Sequence, residues 1–315
     1  MRRFFLYGAI VESAIELPAP AATSSDQVDF TVNVAPESPA DGVMWFHAWQ
    51  YPRCPPSVIF GRRGDGYVLR IPHVGDFAVS SDGRSIDIPA ALPIDSGQHL
   101  LADLVLPLAI SRQRDLLLHA TTVHMPDVGA LAIAGSSGRG KSSLAGALIA
   151  HGASVLSDDC TATTQVHDVP AALPGYPGIR LWPESLTMLA PPGGLSDALA
   201  SGKVRVGPPH VPFRGQPSGL GAILMLSKRH RGGGLKVRRI SQRVAVVQLM
   251  RHAFIMDVTD RSQLARVFGA LTSLVARVPI LRIALEDDRS SLEAAAGSVV
   301  TLARSIVRNR QPSAA

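Results

Sequence analysis

Up to about residue 110, apolar and polar positions alternate over short stretches that Gly, Pro or Asp interrupts every few residues. Tyr67–Ile71, Phe77–Ser80 and Ser85–Ile88 predict short strands, with Ser81-Asp82-Gly83-Arg84 as a turn between two of them. The opening run from Met1 to Glu12 imitates a signal peptide, two arginines before an apolar stretch. Glu12 and Glu16 interrupt it, and the alternation through Ile10, Ala14, Ile15 and Leu17 predicts a first strand or hairpin arm instead. From Leu100 to Arg114 the apolar residues recur at helical spacing and predict a connecting helix. Residues 1–112 therefore read as a small β-rich N-terminal module.

Beyond it the pattern changes to strands alternating with helices, the signature of an α/β domain over 113–310. Ala130–Ala134 predicts an apolar strand, Lys141–Ala150 a helix rich in Ala and Leu, and Ala153–Ser157 another strand, which together make one βαβ unit. The region 165–219, with Pro-Pro-Gly-Gly at 191–194, reads as loop-heavy and raises the question of a lid. A hairpin is expected from strands near 220–227 and 235–240 around the basic, glycine-rich tip Lys228–Gly234, which could touch phosphate but reads more simply as a solvated turn. Helices near 241–253 and 260–277, a strand at Ile280–Leu285 and a last helix opened by Ser290 and Glu293 at capping-box spacing follow. Residues 311–315 are expected to fray.

Composition narrows the class. With 46% hydrophobic and 18% charged residues among 315, global disorder is excluded, and no run of 18 apolar residues predicts a membrane-spanning helix. Cys54 and Cys160 are the only cysteines, too few for a disulfide framework or a zinc cluster, which suits reduced thiols in a cytoplasmic protein. The net charge of +6 comes from 31 basic residues, all arginine except Lys141, Lys203, Lys228 and Lys236, against 25 acidic ones. They are spread thinly without aromatic interleaving, so a nucleic-acid partner is not expected. A homo-oligomer is left open.

The run Gly135-Ser136-Ser137-Gly138-Arg139-Gly140-Lys141-Ser142 matches G-x-x-x-x-G-K-[ST], the Walker A or P-loop pattern, after an apolar strand and at the start of a helix. Glycines let consecutive N–H groups turn inward on phosphates, and the helix N-terminus adds partial positive charge. Lys141 would reach the β- and γ-phosphates of ATP, and Ser142 would ligate Mg²⁺; Ser143, next on the helix, is counted with the nucleotide-binding set.

Asp158-Asp159 follows the strand that ends at Ser157. A helix of about ten residues rises roughly 15 Å and a five-residue strand returns roughly 17 Å, which brings both carboxylates back to the edge where the glycine-rich loop sits. One carboxylate can hold Mg²⁺ while the other accepts a proton from an attacking hydroxyl; turn residues or a helix cap are the plain alternative. His119 is ambiguous on spacing alone, and His124 and His151 have weaker claims. Arg180 is a candidate contact for phosphate or for an acceptor carboxylate, or a loop arginine in solvent.

From His119 through the loop to Asp159 the chain resembles the HPr kinase/phosphorylase family: a histidine ahead of a G-x-S-G-x-G-K-S loop, an Ala/Leu-rich helix, and the ending Gly152-Ala153-Ser154-Val155-Leu156-Ser157-Asp158-Asp159. The resemblance implies a P-loop kinase fold related to phosphoenolpyruvate carboxykinase. It also implies Asp158 as general base, Asp159 as the metal-side carboxylate and His119 as a positioning or proton-sharing partner. The family's downstream Glu-Ile-Arg-Gly-Leu-Gly signature is absent, Pro177-Gly178-Ile179-Arg180-Leu181-Trp182 being the nearest segment. Tyr7-Gly8, Leu17-Pro18, Gly178–Pro183 and the helical tail are similar to the HPr-kinase-like proteins of lasso-peptide pathways. The expected activity is thus an ATP- and Mg²⁺-dependent serine kinase acting on a peptide or small protein, with a C-terminal serine of a precursor peptide as the finer expectation. A nucleotide-binding regulator or ATPase sensor, and a small-molecule kinase, are the rivals.

Overall fold

The computed structural model describes residues 1–23, 25–35, 41–50, 56–92, 94–186, 202–288 and 291–309. Cys54, the 191–194 run, Ser290 and the expected frayed tail lie outside them. The chain divides into two compact units, 1–117 with 254–267, and 118–253 with 268–315.

The first unit is built on an eight-stranded sheet of β1 (Arg2–Leu6), β2 (Ala9–Ser13), β3 (Phe30–Ala35), β4 (Met44–Gln50), β5 (Pro56–Arg63), β6 (Gly66–Ile71), β7 (Gly75–Val79) and β8 (Ser85–Pro89), in the order β1-β2-β3-β8-β7-β6-β5-β4. β1 and β2 form a hairpin whose two-residue turn, Tyr7-Gly8, has φ of 54° and 71°; positive φ at both positions matches the right-handed twist of the flanking strands. Alternate positions, among them Phe30, Phe60, Phe77 and Ile86, are buried. The expected connecting helix begins earlier and is interrupted: α1 (Ile94–Leu100), a π-helical stretch Leu101–Val105, then α2 (Leu106–Ile110). Pro107, in the first turn of α2, has no N–H to give the preceding turn, which accounts for the break. Segment 254–267 belongs to this unit rather than to the second domain: buried Asp257 accepts from Arg62 Nε at 2.8 Å, and Asp260 pairs with Arg112 at 2.7 Å. Partners so far apart in sequence leave no local pattern to read.

The remaining elements are β9 (Leu117–Leu118), β10 (Ala120–Met125), β11 (Gly129–Ala134), α3 (Lys141–Ala150), β12 (Ser154–Ser157), β13 (Thr161–Val166), β14 (Val169–Ala172), β15 (Ile179–Leu181), α4 (Pro183–Leu186), β16 (Val204–Val206), β17 (Ser218–Leu226), β18 (Lys236–Arg239), α5 (Gln242–Met250), α6 (Arg261–Arg277), β19 (Ile280–Ala284) and α7 (Leu292–Arg308). The second unit's sheet runs β12-β10-β11-β17-β14-β13-β9, with β19 also on β17 and β18 on β19. Its apolar core joins Leu131 and Ile133 of β11, Leu144 and Leu148 of α3, Val299 of α7, and Ile179, Leu181 and Val206 of the β15–β16 pair.

Three expectations are corrected here. β11 and β12 point the same way but are not neighbours; β10 lies between them, antiparallel to both. β17 and β18 do not form a hairpin, because β19 intervenes, parallel to β17 and antiparallel to β18. The described parts of 165–219, which leave out 187–201, are less loop-like than expected, since β14, β15, β16 and the start of β17 lie in them. No helix of the described residues is long and apolar enough to cross a membrane.

Candidate active site

β11 ends at Ala134, and the chain turns through 135–140 into α3. Both glycines that bound the turn are closely approached by neighbours. A Cβ on Gly135 would lie 3.0 Å from Leu226 Cβ on the adjacent strand, and one on Gly140 would lie 2.9 Å from the Arg229 guanidinium. Gly140 also has φ of 96°, in the left-handed region. No side chain caps α3 and its first turn carries no acid, so its N–H groups and partial positive charge face the loop uncompensated, the arrangement that favours an anion. Ser136, Ser137 and Gly138 are exposed, while Arg139, Gly140 and Ser142 are half-buried. Ser143 has its hydroxyl 3.1 Å from that of Ser185 in α4.

Lys141 is buried, and its ammonium donates to Gly135 O at 2.9 Å and to His119 Nε2 at 3.0 Å. An imidazole that accepts at Nε2 is neutral and carries its proton on Nδ1, which lies 3.0 Å from Asp159 O and donates to it. One chain of hydrogen bonds therefore links the loop, Lys141, His119 and the backbone of Asp159. Burial pulls the pKa of both Lys141 and His119 down, and for His119 the charge of Lys141 acts in the same direction.

The topology brings Asp158 and Asp159 to the same edge. β10 intervenes between β11 and β12, but the two strands still run in one direction and end together. Asp158 is fully buried: Oδ1 accepts from the Thr121 hydroxyl at 2.7 Å and Oδ2 from the Arg180 N–H at 2.8 Å. Burial pushes its pKa up, with the neighbouring charge of Asp159 adding to the effect. Asp159 sits at φ of 55°, and its Oδ2 pairs with the Arg180 guanidinium. Burial alone would raise this carboxyl too, but the positive groups around it, Arg180 foremost, together outweigh burial and hold Asp159 down at about 2. The two adjacent carboxyls are thus driven apart, the pattern that separates acid–base work from charge binding.

Arg180 is neither in a loop nor in solvent; it is on β15 and committed to Asp159. Four further residues surround the site; Thr121, Lys203 and His252 were not singled out for it from sequence, and Arg229 belongs to the basic tip 228–234. Thr121 tethers Asp158. Arg229 packs on Gly140 and donates to Glu286 O at 3.1 Å. Lys203 acts electrostatically on Lys141 and Asp159. His252 accepts the His119 N–H on its backbone oxygen at 2.6 Å, and burial together with His119 and Lys141 pulls its ring down to about 4. The sequence signals among these are the polar pair Thr121-Thr122 in an otherwise apolar strand and, for Arg229, the basic glycine-rich tip. His124, bonded to Ser218, and His151, facing Glu293 O, take no part.

No family model matches the chain, and no curated protein matches it in sequence. Among solved structures it is similar to the HPr(Ser) kinase/phosphatase from Coxiella burnetii, with 13% identity and a TM-score of 0.30 over 62% of this chain and 95% of that one. With so low a TM-score, the functional reading rests on the geometry of the site itself.

Proposed function

We propose that the chain is an ATP-dependent phosphotransferase that passes the γ-phosphoryl group to a hydroxyl, of serine in a peptide or small protein. The observation that carries this reading is the hydrogen-bonded path from the glycine-rich loop through Lys141 and His119 to an aspartate pair of opposite pKa tendency. The α3 N–H groups and Lys141 would hold the nucleotide's phosphates. Asp158, raised by burial, would take the proton of the attacking hydroxyl; the hydroxyl oxygen bonds to phosphorus as the bond to the β-phosphate oxygen breaks and ADP leaves. Each carboxylate oxygen keeps a second lone pair after its present hydrogen bond, which leaves Asp158 able to accept. His119 would hold Lys141 in place and fix the Asp159 backbone.

Ser142 and the second oxygen of Asp159 are hard oxygen donors, the chemistry that suits Mg²⁺ with several retained waters. When bound there, the ion would neutralise charge on the transferred group. The finer substrate, a C-terminal serine of a precursor peptide, rests on the resemblance of the sequence alone.

The complete burial of Asp158 favours a second reading, in which this carboxyl is a structural tether and the protein senses or hydrolyses ATP. One experiment separates the two. The protein is incubated with γ-labelled ATP, Mg²⁺ and serine-bearing acceptors, both HPr and short peptides, and followed by intact mass. A phosphate added to an acceptor supports the kinase; free phosphate with every acceptor unlabelled overturns it in favour of the sensor.

A further inference from the structure

The β15–β16 pair has two unlike faces. Ile179, Leu181 and Val206 are buried in the core that contains Leu144 and Leu148. Strand alternation turns Arg180 and Arg205, which lie opposite each other in register, to the other side. On that side Arg180 meets Asp159, while Arg205 donates to Pro177 O at 2.6 Å and stacks over Tyr176. Lys203, immediately before β16, sits beside Trp182, immediately after β15, at the end where the strands part; the ammonium is 5.9 Å from the indole ring.

The three cations are not equivalent. Arg180 is neutralised by a carboxylate and Arg205 is bound to a carbonyl, whereas Lys203 has no carboxylate within ion-pair distance among the described residues. It is half-buried, and its charge reaches Lys141, His119 and Asp159. The Lys203 charge acts unfavourably on that of Lys141, and an anion bound by both would offset that repulsion. Trp182, 48% exposed, supplies an aromatic wall at the same lip.

We propose that Lys203, backed by Trp182, binds an oxyanion in this site: the terminal phosphoryl group of the nucleotide, or a carboxylate carried by the hydroxyl-bearing acceptor. The proposal deepens the phosphotransferase reading and rests on it. Lys203 is a binding residue at the end of the β15–β16 pair, in addition to the loop lysine.

The test compares wild type, Lys203→Met, Lys203→Arg and Lys141→Ala. ATP and ADP affinities are measured by calorimetry, and phosphorylation rates are measured on serine-ended peptides with a free or an amidated C-terminus. If Lys203→Met loses ATP affinity by about tenfold or more, the worth of one charge-assisted hydrogen bond, while ADP affinity holds and Lys203→Arg is near normal, the oxyanion is the terminal phosphoryl group. If both nucleotides bind normally but the preference for the free carboxylate disappears, the oxyanion belongs to the acceptor. If Lys203→Met matches wild type in both arms while Lys141→Ala abolishes nucleotide binding, the proposal is overturned and the phosphotransferase reading stands. Failure of the wild type to bind ATP sinks both.

Discussion

At the scale of single residues the site divides labour between two adjacent carboxyls that share a backbone but not an environment. Asp158 is enclosed and, among the described residues, accepts only from neutral donors, a hydroxyl and an amide, so its charged form is poorly compensated; Asp159 meets a guanidinium. If Asp158 is the base, it must be ionised to act. The acidic limb of kcat/KM should then fall above the ordinary carboxylate range near pH 4, and Asp158→Asn should reduce transfer by about 10²–10⁴ while leaving ATP affinity within about twofold. A rate that stays flat down to pH 4, or transfer that survives in the Asn variant, removes Asp158 from the chemistry. Arg180 serves both carboxyls at once, through its N–H to Asp158 and its guanidinium to Asp159. Arg180→Met keeps the first contact and deletes the second. With the guanidinium gone, nothing among the described residues holds Asp159 Oδ2 in its present orientation, so Mg²⁺-dependent ATP binding should weaken more than binding of ATP without metal, as paired titrations would read. Equal effects with and without Mg²⁺ would assign Arg180 a purely structural part.

At the scale of elements, what the sequence made legible is what short-range physics writes into it. The apolar strand to Ala134, the glycine turn, the Ala/Leu helix from Lys141 and the strand to Ser157 each carry their own periodicity, and their order alone delivers Asp158 and Asp159 to the loop. Neighbour relations carry no such mark. Nothing in residues 120–125 says that this strand inserts between β11 and β12, and nothing in 280–284 says that it parts β17 from β18. For the same reason Thr121, Lys203 and His252 passed unnoticed: their relevance is created by long-range packing. The loop itself shows a cooperation of elements, because Gly140 must accommodate both a left-handed backbone and the guanidinium that β17's following segment lays on it. Gly140→Ala is expected to lose ATP affinity through strain and clash together. Adding Arg229→Ala relieves only the clash, so the double variant should recover part of the loss. Full recovery would mean that the backbone conformation is not limiting, and no recovery would mean that Arg229 does not press on the loop.

At the scale of the whole molecule, a site assembled from buried titratable groups ties stability to pH. His119 and His252 both have pKa values in the folded chain below the ordinary value near 6.5, His252 at about 4, because burial and Lys141 disfavour their charged forms. The unfolded chain therefore takes up protons on these rings first. Their contribution to stability is present above about pH 6.5 and is lost as pH falls through the folded values. Asp158 works in the opposite sense, since a raised carboxyl is protonated earlier in the folded chain than in the unfolded one, and Asp159 adds an acid loss only below about pH 4, as pH falls to its value of about 2. Between pH 6.5 and 4 the two histidines pull one way and Asp158 the other. Trp182 is the single tryptophan of the second unit, Trp45 and Trp49 being in the first, so with those two replaced by Phe its fluorescence follows unfolding of the site's own unit. In that background Tm should decline from pH 6.5 to 4, and His252→Asn should flatten the decline, whereas Asp158→Asn should steepen it by removing the opposing proton uptake. Saturating ATP should raise Tm at neutral pH, because a ligand bound only by the folded chain stabilises it in proportion to the logarithm of its concentration over Kd. A decline unchanged by either substitution would show that the buried histidines and Asp158 do not govern how this unit responds to acid.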